Sequence, residues 1–205
     1  MPALARIEPP WDQRLARLMV GPLRQSPITP NAITTSTIVF GLLGAWLLAR
    51  GGAAVHLGAA LAMIAFLLDH ADGELARLTG RTSTFGHYYD LFADALVMSA
   101  LFIGIGLGAG GLGSPAVRLG MIAAGGVAVA MLFRMELERR AGKIAVRQPS
   151  LLGVEAQDVL YLVGPVTWLG GLETFLMLAA IGAPLYALAA LWDLGRYLRQ
   201  LGSLP

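Results

Sequence analysis

The sequence predicts an all-α polytopic membrane protein: six transmembrane helices preceded by an amphipathic helix lying on the membrane surface. Three observations predict it. First, the 205-residue chain is 56% hydrophobic and carries only 15 basic and 13 acidic side chains. That leaves too little charge to cover a soluble domain of this size, and the mean hydropathy is +0.66. Second, the apolar residues gather into stretches, most of them near the roughly 20 residues needed to cross hydrocarbon. Third, the basic residues collect at alternate ends of those stretches.

The elements follow in chain order. Over residues 11–23, Trp11, Leu15, Leu18 and Met19 recur at helical spacing, with Asp12, Arg14 and Arg17 off that stripe. This predicts a short helix with its apolar face on the membrane. Pro2, Pro9, Pro10, Pro22, Pro27 and Pro30 interrupt the first thirty residues, so no cleavable signal peptide is expected. Thr29 or Asn31 can then cap the helix that Pro30 opens. The spans are placed at 31–49, 54–78, 84–107, 115–139, 157–169 and 172–192. The fifth is short and contains Gly164 and Pro165, which predicts a kink. No fixed-period repeat or long linker divides the chain, so 1–205 reads as one membrane domain with 1–30 as its juxtamembrane segment.

Basic residues orient the bundle. Arg6, Arg14, Arg17 and Arg24 precede the first span, Arg77 and Arg81 follow the second, and Arg134, Arg139, Arg140, Lys143 and Arg147 flank the end of the fourth. Arg196 and Arg199 follow the sixth, leaving Arg50 and Arg118 on the other side. By the positive-inside rule both termini are cytoplasmic. Of the thirteen acids only Glu173 belongs to the outer half, so any chemistry sits at the cytoplasmic end. The absence of cysteine excludes disulfides, thiolate catalysis and cysteine-bound metal centres. A net charge of +2 without dense basic clusters disfavours nucleic acid as a partner.

The stretch DHADGELARLTGRTSTFGHYYDLFAD stands out from this apolar background. Asp69 and Asp72 are three apart near the end of the second span, and Asp90 and Asp94 four apart in the first turns of the third. Each pair shares a helix face, and the short connection predicts antiparallel neighbours. Four carboxylates in membrane spans are costly unless compensated, by Arg77 and Arg81 or by cations. All-oxygen ligation favours Mg²⁺, Mn²⁺ or Ca²⁺ over zinc. Gly73 and Gly86 leave bare backbone beside the acids, and a neighbouring arginine suits phosphate. Cations, an open wall and a guanidinium together describe a pyrophosphate site. A salt-bridged hairpin without chemistry is the plainer alternative, but it does not account for four convergent acids.

The pattern Asp69-x-x-Asp72-Gly73-x-x-Ala76-Arg77, eight residues, then Gly86-x-x-x-Asp90-x-x-x-Asp94 resembles the full signature of the CDP-alcohol phosphotransferase family. It covers 26 residues and matches at each defined position. The resemblance implies a membrane enzyme that transfers a phosphoalcohol group from a CDP-linked donor to an acceptor alcohol and releases CMP, in phospholipid synthesis. It implies two divalent cations, Mg²⁺ or Mn²⁺, held by Asp69, Asp72 and Asp90, with Asp94 shared between metal contact and the role of base. Gly73, Ala76, Arg77 and Gly86 would contact CDP, and the protein would be a homodimer surrounded by membrane lipids. A lipidic donor, CDP-diacylglycerol, is favoured on family frequency, with a soluble donor and lipid acceptor as the converse. A divalent-cation transporter is the rival from another class, disfavoured because the outer half lacks a polar relay.

Other residues carry weaker signals. His70 is interleaved with the motif acids, but adjacent residues on a helix point about 100° apart, which argues against a ligand role. His56 and His87 read as packing or interfacial residues. The mixed run Arg134, Glu136, Glu138, Arg139, Arg140, Lys143 and Arg147 reads first as a topology and lipid-contact edge, second as an acceptor-phosphate site. Glu155 and Asp158 either face a polar acceptor or cap a helix. The run GIGLGAGG, from Gly104, reads as a flexible outer loop.

Overall fold

The structure, a computed structural model, describes residues 11–142 and 156–202; Arg6, Lys143, Arg147 and Glu155 lie outside the described residues. Every regular element among those residues is helical. A first helix, α1 (Trp11–Val20), runs into a 3-10 turn at Gly21–Gln25. Four long helices follow: α2 (Pro30–Arg50), α3 (Ala54–Thr79), α4 (Thr84–Gly110) and α5 (Pro115–Ala141). A 3-10 segment at Ala156–Leu162 leads into the six-residue α6 (Val163–Trp168), and the chain continues as α7 (Leu172–Gly202).

Local chemistry sets these boundaries. Thr29 caps α2 by accepting from the Ala32 amide at 3.2 Å, with Pro30 at the first helical position, where its missing N–H costs nothing. Ser83 caps α4 through the Gly86 amide at 2.9 Å, and Ser114 caps α5 through the Val117 amide at 3.2 Å. Helix α3 stops at Gly80, whose φ of +67° is the left-handed conformation that lets the Arg81 amide turn back to the Ala76 carbonyl at 3.0 Å.

Five helices, α2, α3, α4, α5 and α7, are long and apolar enough to cross a membrane. The expected fifth span, 157–169, is not a single helix. Its 3-10 turns and short α-helix together rise roughly 23 Å, below the ~30 Å of hydrocarbon, so by itself it does not span. Pro165 lacks the N–H needed to continue a ladder through this segment.

Helix α2 packs along both α3 and α4, whereas α3 and α4, expected to be packed neighbours, meet at few places. Their acid-bearing ends therefore do not pack backbone to backbone. Small residues make the α2 contacts possible: a Cβ on Gly44 would lie 2.9 Å from the Gly58 carbonyl oxygen, and one on Gly58 2.9 Å from the Leu48 amide nitrogen. The glycine run after residue 103 is likewise not a loop. Gly104 and Gly108 press backbone to backbone against α2 and Gly106 against α5, inside α4. The core beneath the acids is closed by Phe66, Val97, Leu101, Phe102, Ile105 and Leu176.

Helix α1 packs against the acid-bearing end of α3 and touches Ile33 near the start of α2. Ala16 and Val20 are buried with Ile33, Ala71 and Leu75. The apolar stripe that marked this helix points the other way, with Leu15, Leu18 and Met19 exposed. The small residues, not the large ones, form its protein-facing side.

Candidate active site

Helices α3 and α4 carry all four aspartates to one place. Asp69 lies within side-chain hydrogen-bonding reach of both Asp90 and Asp94, and Asp72 is close enough to add its charge to both. The expected convergence across the two helices is therefore present, with Asp69 at its centre. Asp72 is buried, and its Oδ2 accepts a short hydrogen bond from Thr34 on α2. Asp69 and Asp90 each keep one oxygen, Oδ1, shut from solvent and without a donor. Buried carboxylate oxygens with no partner are rare because each forfeits its hydration, and they suit a cation. Among the described residues no three acids or imidazoles form a closed metal-ligand set. The orphaned oxygens and the all-oxygen donor set nonetheless fit a hard divalent ion.

The arginines do not neutralise this nest, contrary to expectation. Arg77 donates from Nε and Nη2 to Glu74 Oε2, at 3.0 and 2.7 Å, and Arg81 is exposed in the turn after α3. Arg77 folds back over Gly73, where a Cβ would stand 3.5 Å from Nη1. The bare backbone at Gly73 thus lies directly under the guanidinium. Ala76 is half-buried on the same stretch of α3. At Gly86 a Cβ would stand 3.0 Å from Ser83 Oγ and 3.1 Å from Asn31 Oδ1, so the amide of Asn31 reaches the first turn of α4.

Some residues around the site carried no functional signal of their own. Thr34 reaches Asp72 from α2, Asn31 lies against Gly86, and Glu74 holds Arg77. Tyr161, from the 3-10 segment, brings its hydroxyl 3.4 Å from His70 Nδ1, which also lies 2.9 Å from the Phe66 carbonyl and 3.9 Å from Asp69 Oδ2. His70 thus faces Tyr161 and its own helix. His87 pairs with Glu138 at 3.1 Å and ties the start of α4 to the end of α5. Glu136 is engaged by Arg139 and Arg140 at 2.7 and 2.5 Å, and Arg134 lies 5.7 Å over the Tyr186 ring. The described part of this charged run is therefore engaged partly within itself and partly with α4 and α7, as a helix-end edge. Asp158 is buried at the start of the 3-10 segment.

A family model described as CDP-alcohol phosphatidyltransferase matches residues 27–200, enclosing the whole aspartate stretch. A bifunctional IPC transferase and DIPP synthase of Rubrobacter xylanophilus is 34% identical over 186 residues, 89% of this chain and 38% of that protein. The archaetidylinositol phosphate synthase of Pyrococcus horikoshii is 36% identical over 105 residues, 51% of this chain and 54% of that one. The matches thus span well under two thirds of either relative. Among solved structures, phosphatidylinositol phosphate synthase of Mycobacterium tuberculosis with CDP-DAG bound superposes with a TM-score of 0.70 at 20% identity, covering 88% of this chain and 94% of that one. The same enzyme with manganese and citrate gives 0.60 at 22% identity, covering 89% and 88%. These likenesses show a shared fold, and the match of the family model over most of the sequence shows that the chain belongs to the CDP-alcohol phosphatidyltransferase family.

Proposed function

We propose that the protein transfers a phosphatidyl or related phosphoalcohol group from a CDP-linked donor, CDP-diacylglycerol by preference, to an acceptor alcohol, releasing CMP in phospholipid synthesis. The observation that carries the proposal is the pair of buried, donorless oxygens on Asp69 and Asp90 inside the four-acid nest. Asp69, Asp72 and Asp90, with Asp94 shared, are the residues to hold two divalent cations, Mg²⁺ or Mn²⁺. When bound, such ions supply charge neutralisation at the diphosphate. The manganese and CDP-DAG found with the Mycobacterium tuberculosis enzyme support this assignment.

The chain's own residues do the rest. Thr34 fixes one oxygen of Asp72. Arg77, above the bare backbone of Gly73, presents a planar donor edge for a phosphate, with Ala76 and Gly86 flanking the nucleotide. Asp94 takes the proton of the acceptor hydroxyl as that oxygen bonds to phosphorus and the bond to the CMP oxygen breaks. A direct in-line displacement needs no covalent enzyme intermediate. The two relatives named as inositol phosphate synthases make polyol phosphates the first acceptors to try. The family resemblance supports a homodimer, and the distribution of basic residues supports a site and termini on the cytoplasmic side.

Purified protein incubated with Mn²⁺ or Mg²⁺, a panel of CDP-donors and alcohols is expected to release CMP. Chelation should stop the release, and Asp94→Asn should lower it at least about 100-fold while CDP binding survives. Wild-type protein that releases no CMP with any pair, or an Asp94→Asn variant of undiminished rate, would falsify the assignment. Ion flux into proteoliposomes without CMP formation would favour a transporter, although the described residues under the acids form a packed apolar core.

A further inference from the structure

Glu74 occupies a variable position of the signature, yet it is buried and holds two arginines from different helices. Its Oε1 forms an ion pair with Arg17 Nε of α1 at 3.1 Å, and its Oε2 accepts from Nε and Nη2 of Arg77. The side chain of Glu74 is 10% exposed, whereas those of Arg17 and Arg77 are 62% and 58% exposed. A guanidinium has two hydrogen-bonding edges, one through Nε and Nη2 and one through Nη1 and Nη2. Glu74 takes the first edge. The second, with Nη1 over Gly73, meets no acceptor among the described residues.

We propose that Glu74 is a positioning residue for the donor's diphosphate: it locks Arg77 with its outer edge presented to phosphate, and Arg17 locks Glu74. Helix α1 is thereby part of the donor site through Arg17. The arrangement rests on the transferase assignment above. A side chain as long as arginine loses considerable rotamer freedom on gripping a phosphate, and a pre-set guanidinium has already lost it, so the clasp acts on donor affinity. The ends of the clasp differ in consequence. Arg17 is exposed and among the described residues pairs with Glu74, so its removal loosens the lock without opening the core. Glu74 is buried between two cations, so its neutralisation releases both.

The test is a double-mutant cycle read by CDP binding to the purified, metal-loaded protein, with CMP release measured alongside. Glu74→Gln is expected to weaken CDP binding roughly tenfold and Arg17→Gln roughly threefold, with kcat within about twofold of wild type. In the Arg77→Ala background, Glu74→Gln is expected to change CDP binding no further, because the group it positions is gone. A purely structural Glu74 would instead weaken binding equally in both backgrounds, and that result overturns the proposal. So does wild-type affinity in both Glu74→Gln and Arg17→Gln. Should Glu74→Gln fail to fold, Arg17→Gln with and without Arg77→Ala gives the same cycle through an exposed residue. Wild-type protein that binds no CDP and releases no CMP overturns the transferase assignment and the clasp together.

Discussion

At the scale of single residues, the spacing of Asp69, Asp72, Asp90 and Asp94 was enough to predict their meeting, because three- and four-residue intervals on two connected helices leave little freedom. The partners of those acids were hidden, since nothing local marks them. Thr34 lies 38 positions before Asp72 and is joined to it only because α2 packs along α3. Its hydroxyl also approaches the Pro30 carbonyl at 3.3 Å, but one proton serves one acceptor well, and the shorter contact to Asp72 prevails. Thr34→Val keeps the shape and removes the donor, leaving a buried carboxylate oxygen unsatisfied at a cost of about 1–3 kcal/mol. The expected outcome is a lower thermal midpoint and CMP release reduced roughly tenfold, with the loss in apparent Mn²⁺ affinity rather than in CDP affinity. Thr34→Ser, which retains the hydroxyl, should behave as wild type in the same melts and titrations.

At the scale of elements, hydropathy located the long helices to within a few residues at most ends, since Thr29, Ser83, Ser114 and Gly80 mark their limits chemically. It misjudged one end and one whole segment. Helix α7 continues to Gly202, ten residues past the expected stop, because its last turns are polar and carry no hydropathy signal. Segment 157–169 has the composition of a span but not the backbone, since composition does not report where the ladder changes from 3-10 to α. Glycine shows how contact, not residue type, decides cost. Gly125 and Gly126 are adjacent on α5, yet a Cβ on Gly125 meets open space, while one on Gly126 falls 2.7 Å from the Ala183 carbonyl carbon and Pro184 nitrogen of α7. Gly125→Ala should stabilise by about 0.5–1 kcal/mol through helix propensity, and Gly126→Ala should destabilise by about 1–3 kcal/mol by forcing α5 from α7. Thermal unfolding of both variants in one detergent decides it, and equal shifts would refute the close crossing.

At the scale of the whole molecule, the exposed surface of α7 is an apolar wall of Leu178, Ile181, Leu185, Leu188 and Trp192, which soluble proteins do not tolerate over such a length and which lipid would cover. The charged ends then set the orientation. The acid nest, the clasp at Glu74 and the α3–α4 turn share one end, and the α4–α5 turn at Leu112 lies at the other. Both turns are exposed: Leu112 is 90% exposed, and Thr82 sits in an exposed stretch beside Arg81. These 205 residues hold no cysteine, so an introduced thiol is the one a maleimide finds within them. With the basic ends inside, Leu112→Cys should react with a membrane-impermeant maleimide added to intact cells, and Thr82→Cys only after permeabilisation. The opposite pattern would put the four aspartates on the outer surface, away from any cytosolic supply of CDP-linked donor, and the cytoplasmic placement of the site would have to be abandoned.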